Sequence, residues 1–168
     1  MIEFGVKLEQ FANYFVGRGD WEFKDPVLRL LERGVDFKCF MLDPDSNVAQ
    51  LYFKDRAKEE PTELAALKRL PNILAELKKI ADNINSLGYR GKFMLYTYKN
   101  IPSCSYFSVD KDHFNAKMIV SHYIYGIRRA KCPSLVIPKR GNKPLYSMYL
   151  KSLNALVRQA KLITPKAL

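Results

Sequence analysis

The sequence predicts an α/β fold, a mixed β-sheet flanked by helices, and three observations lead there. Asp25-Pro26 opens an apolar-faced helix that stops at Gly34 and leads into DFKCFML, residues 36–42, a segment apolar on both faces. From Gly91 the apolar pattern changes from helical spacing to alternation, through three successive segments rich in β-branched and aromatic residues. The chain then closes on one more amphipathic helix. A strand apolar on both sides needs cover on both sides, as in a parallel or mixed sheet. Helices alternating with strands, then a strand meander, then a helix describe a layered sheet.

In chain order, IEFGV supplies a short opening strand. At Asp25-Pro26 the aspartate can cap a helix and the proline fits its first position, where a missing N–H is harmless. Val27, Leu30 and Leu31 give that helix its apolar face, and Gly34 ends it as a left-handed cap residue. The strand over 36–42 runs into DPDSN, where Asp45 or Ser46 can cap the next helix. Asp43 and Asp45 therefore fall at a strand's carboxyl end, the edge at which open α/β sheets bind ligands. Turn and cap duties account for both more simply.

Leu64, Leu67, Leu70, Leu74, Leu77, Ala81 and Ile84 recur at three and four residues across Pro71. The spacing predicts a long helix, or two collinear ones, kinked or broken at Pro71 and ended by Gly88. GKFMLYTY, SCSYFSVD and NAKMIVSHYIYG read as three strands, with VDKDHFN as the hairpin turn between the second and third, and SLVIP as a fourth. A final helix carries Leu145, Tyr149, Leu153, Leu156, Ala160 and Ile163 on one face.

A chain of 168 residues is enough for one domain with a single core. It has no run of about 18 uninterrupted apolar residues, and MIEFGVKLEQ has neither a basic segment nor an apolar stretch ahead of a cleavage site. A soluble, cytoplasmic protein with no membrane partner is the expectation. Cys39, Cys104 and Cys132 are odd in number, show no C-x-x-C spacing and share the chain with only two histidines, which predicts reduced thiols and no metal site. No cofactor signature is present. Charge is unevenly placed. Residues 1–98 hold 15 basic and 15 acidic residues; residues 99–168 hold 13 basic against Asp110 and Asp112, which accounts for the whole net charge of +11. A surface of one sign steers phosphates and predicts an anionic partner; solubility or an acidic protein neighbour is the alternative.

The order strand, helix, LLERGVDFKCFMLDP, long helix, strand, then PSCSYFSVDKD and AKMIVSHYIYG resembles one half of the phospholipase D-like superfamily. In that family H-x-K-x-x-x-x-D lies on a strand followed by a hairpin to a second strand bearing Gly-Ser and Asn. In this sequence the histidine of the motif falls on Ser103, the lysine on Ser105 and the aspartate on Asp110. Ser121 matches the serine of the second strand, while residues 122–126 depart from the pattern. The resemblance implies the fold without the reaction. Family enzymes attack a phosphodiester with a histidine, neutralise it with lysines and protonate the leaving group with a second histidine. A serine with no neighbouring base is neither an activated nucleophile nor a group titrating near neutrality, and at 105 it supplies no cation.

A second frame, Asn115-Ala-Lys117 followed by His122, keeps a lysine but moves it to the strand after the hairpin and loses the aspartate. It makes Lys117 and His122 the alternative catalytic residues, for a phosphodiesterase or nuclease acting across a homodimer, since single-motif family members pair two chains. The polar residues around the predicted pocket suit binding: Ser103, Ser105, Asp110 and Ser121, with Arg128, Arg129 and Lys131 directly after the last long strand. Arginine's planar fork recognises phosphate bidentately. Tyr96, Tyr98, Tyr123 and Tyr125 can stack on bases or simply pack a sheet face. SHYIYGIRRAKCPSLVI also resembles the corresponding stretch of degenerate domains in bacterial regulators. The resemblance implies a non-catalytic domain that binds a phosphate-bearing ligand or nucleic acid, or mediates assembly, in a regulatory or defence system.

Overall fold

The computed structural model describes residues 1–16, 24–127 and 131–164. Strand β1 (Ile2–Gly5) is followed by helices α1 (Glu9–Val16) and α2 (Lys24–Glu32), strand β2 (Phe37–Leu42), helices α3 (Asn47–Arg56) and α4 (Thr62–Ser86), and strand β3 (Phe93–Tyr98). A meander of β4 (Cys104–Val109), β5 (Lys117–His122) and β6 (Ser134–Pro138) leads to helix α5 (Lys143–Arg158) and the short strand β7 (Lys161–Leu162). All seven strands join one mixed sheet in the order β6-β5-β4-β1-β2-β3-β7. β1, β2 and β3 run parallel; β4, β5 and β6 pair antiparallel beside β1, and β7 antiparallel beside β3.

The chain steps from β1 to β2 to β3 in one direction. Right-handed crossovers therefore put both sets of connecting helices on the same face. Phe11 of α1 stacks on Phe37 of β2 at 5.4 Å and lies 6.1 Å from Phe93 of β3, and Asn85 of α4 hydrogen-bonds both backbone groups of Phe93. The other face is met by α5, which leaves β6 at one edge and reaches β7 beyond β3. Its Tyr146 and Leu153 are fully buried. Met41, Cys39 and Phe40 on β2 are all 0% exposed, as a strand covered on both faces requires.

Several sequence expectations hold. Gly34 and Gly88 adopt φ of +85° and +73°, the left-handed cap conformation after a helix that glycine takes without a Cβ penalty. The three cysteines are free thiols. Others change. The helix at Asp25-Pro26 begins at Lys24, so Asp25 lies inside its first turn instead of capping it. α4 is one continuous helix through Pro71, because the proline sits on the solvent side while Leu70, Ile73 and Leu77 stay buried on either side of it. Leu64 is 45% exposed and does not belong to that apolar face. α5 ends at Arg158, leaving Ala160 and Ile163 outside it; the Ile163 amide instead donates to the carbonyl of Leu95 at 2.8 Å. α1 and β7 had no counterpart in the sequence reading. Among the described residues no helix is long and apolar enough to cross a membrane.

Candidate ligand-binding site

The parallel strands bring their carboxyl ends to one edge of the sheet, and the antiparallel meander adds the start of β4, the end of β5 and the start of β6. Three serines line up there. Ser105 pairs with Ser121, and Ser121 with Ser134, so their hydroxyls share one face in neighbouring strands. Ser121 and Ser134 hydrogen-bond through their hydroxyls at 2.6 Å. Ser105 is only 7% exposed. Ser103 is exposed just before β4; its carbonyl accepts the Tyr123 amide at 2.9 Å, and its hydroxyl lies 3.7 Å from the Cys104 thiol.

Asp110 lies elsewhere. It follows the far end of β4, about 16 Å of strand from Ser105 at about 3.3 Å per residue. There it adopts φ +46°, and its carbonyl accepts the His113 amide at 2.9 Å. The sequence had placed it beside the serines in a single pocket; strand geometry separates them. Lys117 and His122 are divided likewise, at opposite ends of β5 and, five residues apart, on opposite faces of the sheet. His122 Nε2 meets the Tyr149 hydroxyl of α5 at 2.9 Å. Within one chain these two do not form a reactive pair. Arg128 and Arg129 lie outside the described residues. Lys131 is exposed and lines a cavity of about 360 Å³ with Arg56, Glu60, Thr62 and Ile127.

Of the tyrosines, Tyr98 is buried, donates to the Gly5 carbonyl at 3.1 Å and stacks on Phe4, while Tyr96 stacks on Phe40 at 4.6 Å. Both pack the sheet. Burial pushes the Tyr96 phenol up. Tyr125 is 60% exposed. Asp43 makes the turn after β2, its carboxylate accepting the Asp45 amide at 3.0 Å and meeting Lys99 at 3.7 Å. Ser46 caps α3 by accepting the Ala49 amide at 3.1 Å. Of the two residues proposed for that cap, the serine does it.

A charged cluster on the same edge had no sequence signal. Glu63, in the first turn of α4 and 6% exposed, is reached by Lys7 Nζ at 3.0 Å and by Arg56 Nε at 3.9 Å. Lys7 meets the Oε2 oxygen outside hydrogen-bonding alignment, so the contact is an ion pair alone. Arg56 also donates to the Ile127 carbonyl at 3.0 Å, which ties α3 to the segment after β5. The cluster anchors Ile127 beside α3 and engages both cations within the chain. Beyond it, the face of β4–β6 turned toward the α1–α4 side is open: Val109, Ile119 and Val136 are 47%, 38% and 63% exposed along a groove of about 350 Å³.

Searches against family models, curated proteins and solved structures give no match.

Proposed function

We propose that this chain is a non-catalytic phospholipase D-like half-domain that binds a phosphate-bearing ligand or nucleic acid. One observation carries the reading. Where the motif requires imidazole and ammonium, Ser103 and Ser105 stand instead, while cations of the C-terminal part face solvent without counter-charges. Lys117, Lys131, Arg140, Lys143, Lys151 and Arg158 are exposed and make no ion pair with another described residue. Such groups bind polyanions by releasing condensed counterions and do no bond chemistry. The layout lends support: two parallel crossovers precede an antiparallel meander, with Ser103 just before its first strand and Ser105 at the start of it. The open apolar face of β4–β6, with Val109, Ile119 and Val136 exposed, supports assembly of two copies as a second reading.

Titrating labelled DNA and RNA with the protein at rising salt tests this. Binding at low salt that falls steeply with salt, and no hydrolysis of a generic phosphodiester, is expected. Absence of binding to any nucleic acid removes the partner. Hydrolysis that disappears in His122→Ala replaces the reading with a phosphodiesterase assembled across a homodimer.

A further inference from the structure

The cations of α5 form a stripe. At 3.6 residues per turn, Lys143, Ser147, Lys151 and Arg158 fall within an arc of about 80°, and all four are exposed. The helix contains no acidic residue. Its rise of about 1.5 Å per residue sets Lys143 and Lys151 about 12 Å apart and Lys151 and Arg158 about 10.5 Å apart, a straight line of charge about 22 Å long. Arg140 and Lys161, both exposed, flank the helix in sequence.

The first turn of α5 sharpens the point. The positive end of the helix dipole favours an acidic residue there, yet that turn holds Lys143 and no acid. No described residue pairs with it. Lys143 therefore opposes the electrostatics of its own helix, and an external anion gives it a use.

We infer that α5 is the docking face for the sugar-phosphate backbone of a nucleic-acid duplex, with Lys143, Lys151 and Arg158 as its phosphate contacts. This rests on the polyanion-binding reading above and assigns it a surface, on the opposite side of the sheet from α1–α4. The step from Lys143 to Lys151 is close to the width of a B-form major groove, about 12 Å, so these two meet phosphates on its two rims while Arg158 reaches the backbone beyond. A single strand is disfavoured, because it is held by exposed aromatic rings. On α5 Tyr146 is buried, donating to the Lys111 carbonyl, and Tyr149 is half-buried against His122. An acidic protein is disfavoured because a protein interface centres on well-packed, desolvated anchors, and the large apolar side chain exposed on α5 is Met148 alone, on the flank of the stripe, which leaves Arg158 no apolar surround. With serine and asparagine between the cations, the contacts read backbone and not sequence.

Fluorescence anisotropy with a duplex of about two helical turns, the matching single strand and polyglutamate tests the inference, across ~50 to ~200 mM salt, where phosphate contacts change affinity most. The variants are the triple K143Q/K151Q/R158Q and the single Lys143→Glu. The triple variant is expected to lose on the order of 100-fold in duplex affinity at ~0.1 M salt, with the salt slope falling by about 3, near 0.9 per contact. Lys143→Glu is expected to weaken binding while raising the thermal midpoint, a combination that a merely structural lysine does not give. Wild-type affinity and slope in the triple variant overturn the inference and leave the general reading standing on other cations. No binding of either nucleic acid by the wild-type chain overturns both. Tighter binding of the single strand, or of polyglutamate, with the same loss in the variant, overturns the duplex assignment.

Discussion

Tyr106 ties the meander to the helix that crosses it. Its ring is 2% exposed, edge-on to Phe4 at 5.9 Å and to Tyr149 at 6.4 Å, and its hydroxyl donates to Ser152 Oγ at 2.9 Å. Burial, reinforced by the Cys104 thiol, pushes the phenol above its ordinary value of 10.0. The fold thus favours the neutral phenol, and the unfolded chain releases that proton at lower pH than the folded one. The stability this contributes is complete below about pH 10 and is lost as pH rises toward the folded value. Cys39, whose thiol burial also raises, acts with the same sign from nearer its ordinary value of 9.0. Tyr106→Phe keeps the ring and leaves Ser152 on a water-facing helix surface, so it should cost only about 0.5 to 1.5 kcal/mol at neutral pH. Urea unfolding at pH 7 and above pH 10 should show the variant losing less stability with alkali than the wild type, with Cys39 supplying what remains. Equal losses in both proteins would show that Tyr106 titrates normally.

α4 illustrates how packing overrides a local signal. Pro71 removes the N–H that would bond the Leu67 carbonyl and crowds the preceding turn, a penalty of about 3 kcal/mol in an ordinary helix interior. The helix continues because Ala66, Leu70, Ile73, Leu77, Ala81 and Ile84 stay on one buried face across it. Pro71 is exposed, so Pro71→Ala opens no cavity. It should gain about 1 to 3 kcal/mol, the restored helix term less the stiffness proline lends the unfolded chain. A urea midpoint unchanged or lowered would mean that the bend at Pro71 is needed to follow the sheet. The same contest decides what was legible in the sequence. β2, β3 and the meander were readable because each carries its own alternation or two-sided apolar run. α1 was not: its Phe11 and Phe15 are indifferent helix formers, held by Phe37 and Phe93 far along the chain. β7 is two residues long and exists through its pairing with β3. For the candidate site, the strand position of Ser105 was readable, whereas Ser103 falls just before β4 and the separation of Asp110 followed from strand rise. In the Lys7–Glu63–Arg56 cluster Lys7 lies about 50 residues before its partners, a distance over which local spacing carries no information.

At the scale of the molecule, two electrostatic regimes share one core. The charge-balanced N-terminal part makes attractive pairs, Lys7–Glu63 at 3.0 Å, Arg69–Glu9 at 3.1 Å and Lys58–Asp55 at 2.8 Å. The C-terminal part carries the entire excess of +11. Salt weakens both, shrinking the Debye length from about 30 Å at ~0.01 M to about 8 Å at ~0.15 M. The exposed pairs are already screened by solvent and contribute little, and Glu63 is shielded by burial, so little attraction is lost. Self-repulsion among uncompensated cations spans longer distances and destabilises the compact state. Screening should therefore win for the repulsive term: the urea midpoint should rise from ~0.01 to ~0.15 M sodium chloride, with an unchanged m-value showing that neither end state has altered its exposed surface. K143Q/K151Q/R158Q should start from a higher midpoint at low salt and respond less, because part of the repulsion resides on α5 itself. A midpoint that falls with salt would mean the attractive pairs outweigh the cationic surface. The stripe on α5 would then have its repulsion offset within the fold, and the strain that an anionic partner relieves would be absent.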